Sequence, residues 1–427
     1  MSLKKLKTFI LIYILTLPTT IKAQQHRFVR AYIPQDSLCV KEDSAHLSFP
    51  QNHEGFTTFY NKLSKLLTTG ENRINILHIG GSHVQAGYLS DQLRRDISSL
   101  HDSASSQQAK AADMGVLFPF KAVRTNAPQS YVVSHTGYWS ASRCISATPD
   151  AKLGISGIAA ITTDSTSTLT LNLSDETYSY NQLRVLGYSL NGITTPVVIA
   201  GQDTIFPDPS DNKPGYLFNL PQQTTHSTIG FKNLCDTTGF VVRGLMPISS
   251  RSGITYSESG VNGASVASWL RCDVLEEELA LLPPDLVVFG IGINDAAMSY
   301  DKFNPDTFKD NYRQLIAKIQ QVSPGAALSF ITNNDCNQTM RIRRPNLNTV
   351  RVAAAFRELA NEYNGAVFDL YQVMGGQGSA TNWQHHHLMK KDRVHFTQAG
   401  YQLVGDLIFN AIVADFEQQH PYSSNNL

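Results

Sequence analysis

The chain has 427 residues, 42% of them hydrophobic and 16% charged, with 35 Lys plus Arg balanced by 35 Asp plus Glu. That length exceeds one ordinary core and points to two or three folding units, and the composition excludes a disordered chain. The balanced charge leaves no net positive field to draw in a phosphate backbone, so nucleic acid is not an expected partner.

The elements follow in chain order. Lys4, Lys5 and Lys7 precede an apolar run from Phe9 to Leu17 and then Ile21-Lys22-Ala23. This is the order of a secretory signal peptide over residues 1–23, cleaved after Ala23. The run is about half of the roughly 20 residues that span a bilayer, and no longer apolar run follows. The expectation is a periplasmic or secreted protein with no stable membrane insertion once the leader is removed. Five widely spaced cysteines, Cys39, Cys144, Cys235, Cys272 and Cys336, leave at least one thiol unpaired. One or two disulfides can form in an oxidising compartment, but the spacing assigns none.

After a polar leader, Phe56, Phe59, Leu63, Leu66 and Leu67 recur at helical spacing before a strand at Ile74–Ile79. Gly80-Gly81-Ser82-His83 then makes a sharp turn into a helical run from Val84 to Leu100. Far downstream the spacing predicts a strand at Ile254–Ser257, a helix at Ala264–Leu282 and a strand at Asp285–Ile291. A helix at Thr307–Gln321, a strand at Ala327–Thr332, a helix at Leu347–Tyr363, a strand at Ala366–Leu370 and a helix at Thr397–Phe416 follow. Strands alternating with helices of this length imply an α/β fold, a parallel sheet covered on both faces.

From about residue 124 to 247 the pattern changes to period-two runs broken by Gly, Asn, Asp and Pro. Ser167–Leu173, Gln182–Tyr188 and Thr195–Ile199 are examples. This reads as an antiparallel β-sandwich inserted in the first crossover. Residues 53–123 and 248–420 then form a discontinuous α/β domain. The insert carries Tyr178, Tyr180, Asn181, Tyr188 and Asn191, whose aromatic faces and amides suit sugar rings; the alternative is that the tyrosines pack the sandwich core or face the α/β domain.

Ligands of open α/β sheets bind beyond the carboxyl ends of the strands, and four segments fall there. Ser82 opens a helix, where free N–H groups favour a developing negative charge, although a serine at such a turn can equally be a helix cap. Gly260-Val261-Asn262-Gly263 follows the second strand, and Gly263 lets a backbone N–H approach a substrate; it can also serve the turn alone. Asn294 ends the strand Asp285–Ile291, where its amide can donate to an oxyanion or stabilise a turn. Asp392 and His395 are three apart before the last helix, so one turn can place both on one side. A neutral His accepts a serine proton, and a neighbouring carboxylate fixes its tautomer.

These segments, in this order, resemble the blocks of the GDSL-like (SGNH) hydrolase family over roughly residues 73–100 and 253–416. The resemblance implies a flavodoxin-like three-layer fold with Ser82 as nucleophile and His395 with Asp392 as base and orienting acid. It also implies an oxyanion hole made by the Ser82 and Gly263 N–H groups and the Asn294 amide, and it calls for no cofactor or metal. The family's first block usually reads Gly-Asp-Ser, and Gly81 stands here in the Asp position; local packing and rate are expected to change more than mechanism. His83, the Gly-Val-Asn-Gly-Ala segment and the β-rich insertion resemble the peptidoglycan O-acetylesterase branch, which implies an acetylated glycan as substrate.

Two rivals come from other classes. A metal hydrolase built on His385-His386-His387 is disfavoured, because three adjacent histidines cannot face one metal on a regular element and no H-E-x-x-H pattern accompanies them. A glycan-binding protein with a decayed hydrolase domain would fit Gly81, but not the joint retention of Ser82, Gly263, Asn294, Asp392 and His395.

Overall fold

The computed structural model describes residues 27–34, 39–103, 107–338 and 344–420; the expected leader lies outside them. Helix α1 (Glu54–Thr69) buries Phe56, Phe59, Leu63, Leu66 and Leu67, the positions whose spacing predicted it, and ends on Gly70 in the left-handed region. Six strands form the central sheet: β1 (Leu47–Ser48), β2 (Arg73–Gly80), β3 (Gly253–Gly260), β4 (Leu286–Gly290), β5 (Ala327–Ile331) and β6 (Ala366–Phe368). Their order is β1-β6-β5-β4-β2-β3, parallel throughout except for the antiparallel edge strand β1. The five parallel strands have the flavodoxin-like order, whose ligand crevice lies where the winding direction reverses, between β2 and β4.

Helix α1, α3 (Tyr88–Ser98) and α8 (Gln398–Gln419) contribute to the core on one face of this sheet. On the other face lie α4 (Val266–Trp269), α5 (Leu275–Leu279), α6 (Pro305–Val322) and α7 (Asn348–Glu362). This is the three-layer arrangement expected.

The sequence between β2 and β3 forms two five-stranded antiparallel sheets. One runs in the order 203–205, 195–200, 226–232, 168–173, 131–136, and the other 216–224, 180–189, 240–248, 158–162, 140–143. Leu169, Leu171, Tyr180, Leu183, Val185, Phe218 and Phe240 fill the space between them, so the expected inserted β-sandwich is present.

Three expectations need correction. The helical run after Ser82 is two helices, α2 (Ser82–Gln85) and α3, separated at Gly87, whose φ is +80° and whose missing Cβ leaves room for Pro128. The helix expected over Ala264–Leu282 is broken into α4 and α5, because the Val274 N–H turns out to bond Leu153 O of the insert and the Arg271 guanidinium reaches Cys144 O. The insert tyrosines follow the packing alternative: Tyr178 and Tyr180 are buried in the sandwich core and Tyr180 donates to Ser227 Oγ. Tyr188 packs toward the α/β half, under the Arg243 guanidinium. All five cysteines are free thiols, four of them buried.

Candidate active site

Strands β2, β3 and β4 end level, with Gly260 and Gly290 both in register with Gly80. The loops leaving these three ends therefore meet at one edge. Gly81 precedes α2, and its carbonyl accepts from the Val84 and Gln85 N–H groups at 3.2 and 3.0 Å, which turns Ser82 out at the first helical position.

Ser82 Oγ lies 2.9 Å from His395 Nε2, and His395 Nδ1 lies 2.9 Å from Asp392 Oδ2. The second oxygen of Asp392 accepts the Val394 and His395 backbone N–H groups at 2.9 and 3.0 Å, so the loop folds around its own carboxylate. Burial would raise the Asp392 pKa, but these hydrogen bonds and the neighbouring imidazole outweigh it and hold the carboxyl below its ordinary value. An ionised acid on Nδ1 leaves Nε2 free to face the serine. His83, beside the serine, is not part of this chain. Its ring packs 5.3 Å from that of His395, its Nδ1 pairs with Tyr401 Oη at 2.8 Å, and burial, then the charge of His395, lowers its pKa to about 3.

Asn294 leaves the end of β4 and donates through Nδ2 to Ala264 O at 2.9 Å. The adjoining Asp295 is buried and takes the Val266 N–H on both oxygens at 3.2 Å; burial pushes its carboxyl up to about 6. Together they tie the 263–266 turn to β4. Gly263 has φ +80° and open space where a Cβ would point, so backbone conformation rather than crowding requires glycine there. A Cβ on Gly81 would come 3.3 Å from Asn294 Nδ2, which places position 81 against the amide of Asn294.

Ser82, Gly263, Asn294 and His395 line one open cavity of about 530 Å³, with Asp392 behind His395. All five candidates are thus brought to one place. The arrangement has a hydroxyl paired to an imidazole and an acid that orients the imidazole, with Gly263 and Asn294 lining the same space. Tyr88, Asn126 and Lys390 also line the cavity and were not singled out from the sequence. Tyr88 sits on a helical run that reads as core, and Asn126 lies in a loop without periodicity, so neither carries a local signal. A roomier groove of about 710 Å³ between α3 and the sandwich, lined by Arg95, Lys110 and Arg251 among others, holds none of the five. Among the described residues no group of three or more His, Cys, Asp or Glu side chains is placed to hold a metal, and no helix is long and apolar enough to cross a membrane.

Residues 241–403 match the GDSL-like Lipase/Acylhydrolase family, a span that contains Gly263, Asn294, Asp392 and His395 but begins after Ser82. A solved peptidoglycan O-acetylesterase is 20% identical, with a TM-score of 0.69 over 87% of this chain and 99% of that one. The fold is therefore shared through both the central sheet and the sandwich. A lipase/acylhydrolase from Enterococcus faecalis is 26% identical over 38% of this chain and 78% of its own, with a TM-score of 0.30. The acetylxylan esterase Axe2 from Geobacillus stearothermophilus is 22% identical over 38% and 73%, with a TM-score of 0.29. No curated protein matches the chain in sequence.

Proposed function

We propose that this carboxylic ester hydrolase of the GDSL-like type is an exported serine esterase that removes O-acetyl or other short acyl groups from a glycan such as peptidoglycan. The observation that carries the reading is the continuous hydrogen-bonded line from Ser82 Oγ through His395 to Asp392, two contacts of 2.9 Å opening on the cavity that Gly263 and Asn294 also line.

In this reading Ser82 Oγ attacks the ester carbonyl while His395 Nε2 takes its proton. Asp392 stabilises the imidazolium through Nδ1–H. The negative charge on the carbonyl oxygen is met by the Ser82 and Gly263 N–H groups and the Asn294 amide, aimed in advance of the reaction. The imidazolium then gives its proton to the glycan's ester oxygen as its bond to the carbonyl carbon breaks, so the glycan departs as the free hydroxyl and an acyl-serine is left. Water attacks that ester with His395 again as base, and the acid and free Ser82 are released. No step draws on a cofactor.

The glycan assignment is supported by the likeness to a peptidoglycan O-acetylesterase, which extends through the sandwich as well as the catalytic sheet. It is also supported by an open cavity lined by Asn126, Asn262 and Tyr88, amides beside an aromatic ring. Acetate release from O-acetylated peptidoglycan, acetylxylan and acetylated sialic acids tests the substrate, and a fluorophosphonate probe tests the nucleophile. The expected result is acetate from at least one glycan and labelling that disappears in Ser82→Ala. Labelling that persists in that variant removes Ser82 from the mechanism, and acetate from none of the glycans removes the substrate class.

A further inference from the structure

We propose that Gln85, with Asn126 of the insert, is a positioning residue that sets the direction of the Gly263 N–H through Asn262; this rests on the serine-esterase reading above. Gln85 ends α2, three residues after Ser82, and is buried. Its Oε1 accepts the Asn262 backbone N–H at 2.7 Å, and its Nε2 is shared among Thr125 Oγ1, Asn126 O and Asn126 Oδ1, each at 3.0 Å. Asn262 closes the ring by donating from Nδ2 to Asn126 Oδ1 at 2.6 Å. Three stretches of chain, the nucleophile's helix, the loop after β3 and the start of the insert, are held by one set of amides.

The consequence falls on Gly263. It is a positive-φ glycine with no atom within 4 Å of where a Cβ would lie. Packing cannot hold it. Its orientation depends on the residues on either side, and these are held by Gln85 and Asn126 at position 262 and by Asn294 at position 264. The docking of α2 on β3 has a separate cause: Gly260 lets the backbone approach so closely that a Cβ there would come 2.2 Å from Gln85 N. The Gln85 side chain is thus not needed to seat the helix. What it adds is direction to the next loop. An oxyanion donor displaced by a fraction of an ångström loses most of its selective grip on the transition state, while the ground-state ester is hardly affected.

The test is steady-state kinetics of the full chain on p-nitrophenyl acetate, with Gln85→Leu, Gly263→Ala and the double variant. Gln85→Leu is expected to lower kcat about tenfold or more with KM within about twofold. In the Gly263→Ala background the same change is expected to add little, because both act on one donor. Asn126→Ala, which cuts the clasp at its exposed end, is expected to give a smaller kcat loss of the same kind and serves if Gln85→Leu does not fold. An unchanged kcat, a loss confined to KM, or a Gln85→Leu effect undiminished in the Gly263→Ala background overturns the proposal. Ser82→Ala, assayed alongside, separates this from failure of the serine mechanism itself, since full activity there would overturn the mechanism instead.

Discussion

The carboxyl edge of the sheet and its junction with the sandwich are built in opposite ways. At the edge, His395 and Asp392 remain about a third or more exposed, and their contacts join residues of one short loop to Ser82. At the junction the charged groups are buried. Arg243 of the insert meets Glu278 of α5 at 2.5 Å, with side chains 7% and 0% exposed, and Glu278 also takes the Ile155 N–H. Beneath α3, Arg94 is shared between Asp91 and Glu258, all three buried. The difference teaches where rigidity enters. Ser82 and His395 stay open to the cavity, and the elements that carry them are locked by buried ion pairs, Arg94 with Asp91 and Glu258 within the α/β half and Arg243 with Glu278 between the two halves.

The largest expected effect breaks the edge alone. Ser82→Ala, His395→Ala and the double variant should each lose about 10⁴-fold or more in kcat on a small acetate ester, the double no worse than either single, with Tm nearly unchanged. Asn294→Ala should lower kcat by about 10²-fold with little change in KM. Losses that multiply in the Ser82/His395 double variant would mean the two do not act in one step.

Breaking the junction should do the reverse. Arg243→Ala leaves Glu278 buried without its cation and is expected to cost about 3–5 kcal/mol in denaturant unfolding, while the folded protein keeps most of its kcat. A cost below about 1 kcal/mol would mean that the apolar packing around Trp269 and Leu275 holds the junction without the ion pair.

A smaller effect sharpens the comparison through pH. Burial, opposed by Arg94 and reinforced by Asp91, raises the Glu258 pKa to about 8. The folded state therefore holds a proton that the unfolded chain releases near the ordinary glutamate value. Stability from this group is fully present below that value and is lost as pH rises through about 8. Glu258→Gln carries no such proton, so its Tm should fall less than that of the wild-type protein between pH 5 and 9, by a few degrees. Parallel Tm curves for the two proteins would show that Glu258 is ionised in both states or in neither.

Strand patterning was most legible where the environment is simple. The strand Thr168–Leu173 alternates half-buried and buried residues, as a sheet with one face toward solvent requires. Tyr180–Ser189 in the other sheet carries an unbroken buried run through its middle, because its second face is covered by the α/β half. Leu183 and Val185 point into the sandwich core and Leu186 into the core beneath the central sheet. Apolar residues on both faces of this strand, as well as Tyr188, were therefore signs of a shared core, not of a free sugar-binding surface. For the same reason the sandwich is a wall of the molecule and not an appendage.

By itself the sequence determined the parallel sheet, the inserted β-strands and the five residues that meet at the carboxyl edge. The sheet and the strands are written in the period of apolar residues and the glycines at strand ends, whereas each of the five residues is locally an ordinary turn or cap and was singled out only by the joint resemblance of their four segments to the blocks of a known family. Only the tertiary structure decided that Val274 leaves its helix for Leu153, that Tyr180 is core, and that Gln85, Asn126 and Asn262 close on one another beside Gly263. Those outcomes depend on hydrogen bonds and buried faces contributed by segments far apart in the chain. A local pattern fixes which face of an element is apolar, but what covers that face, and which amide meets which, is settled only when the two halves dock.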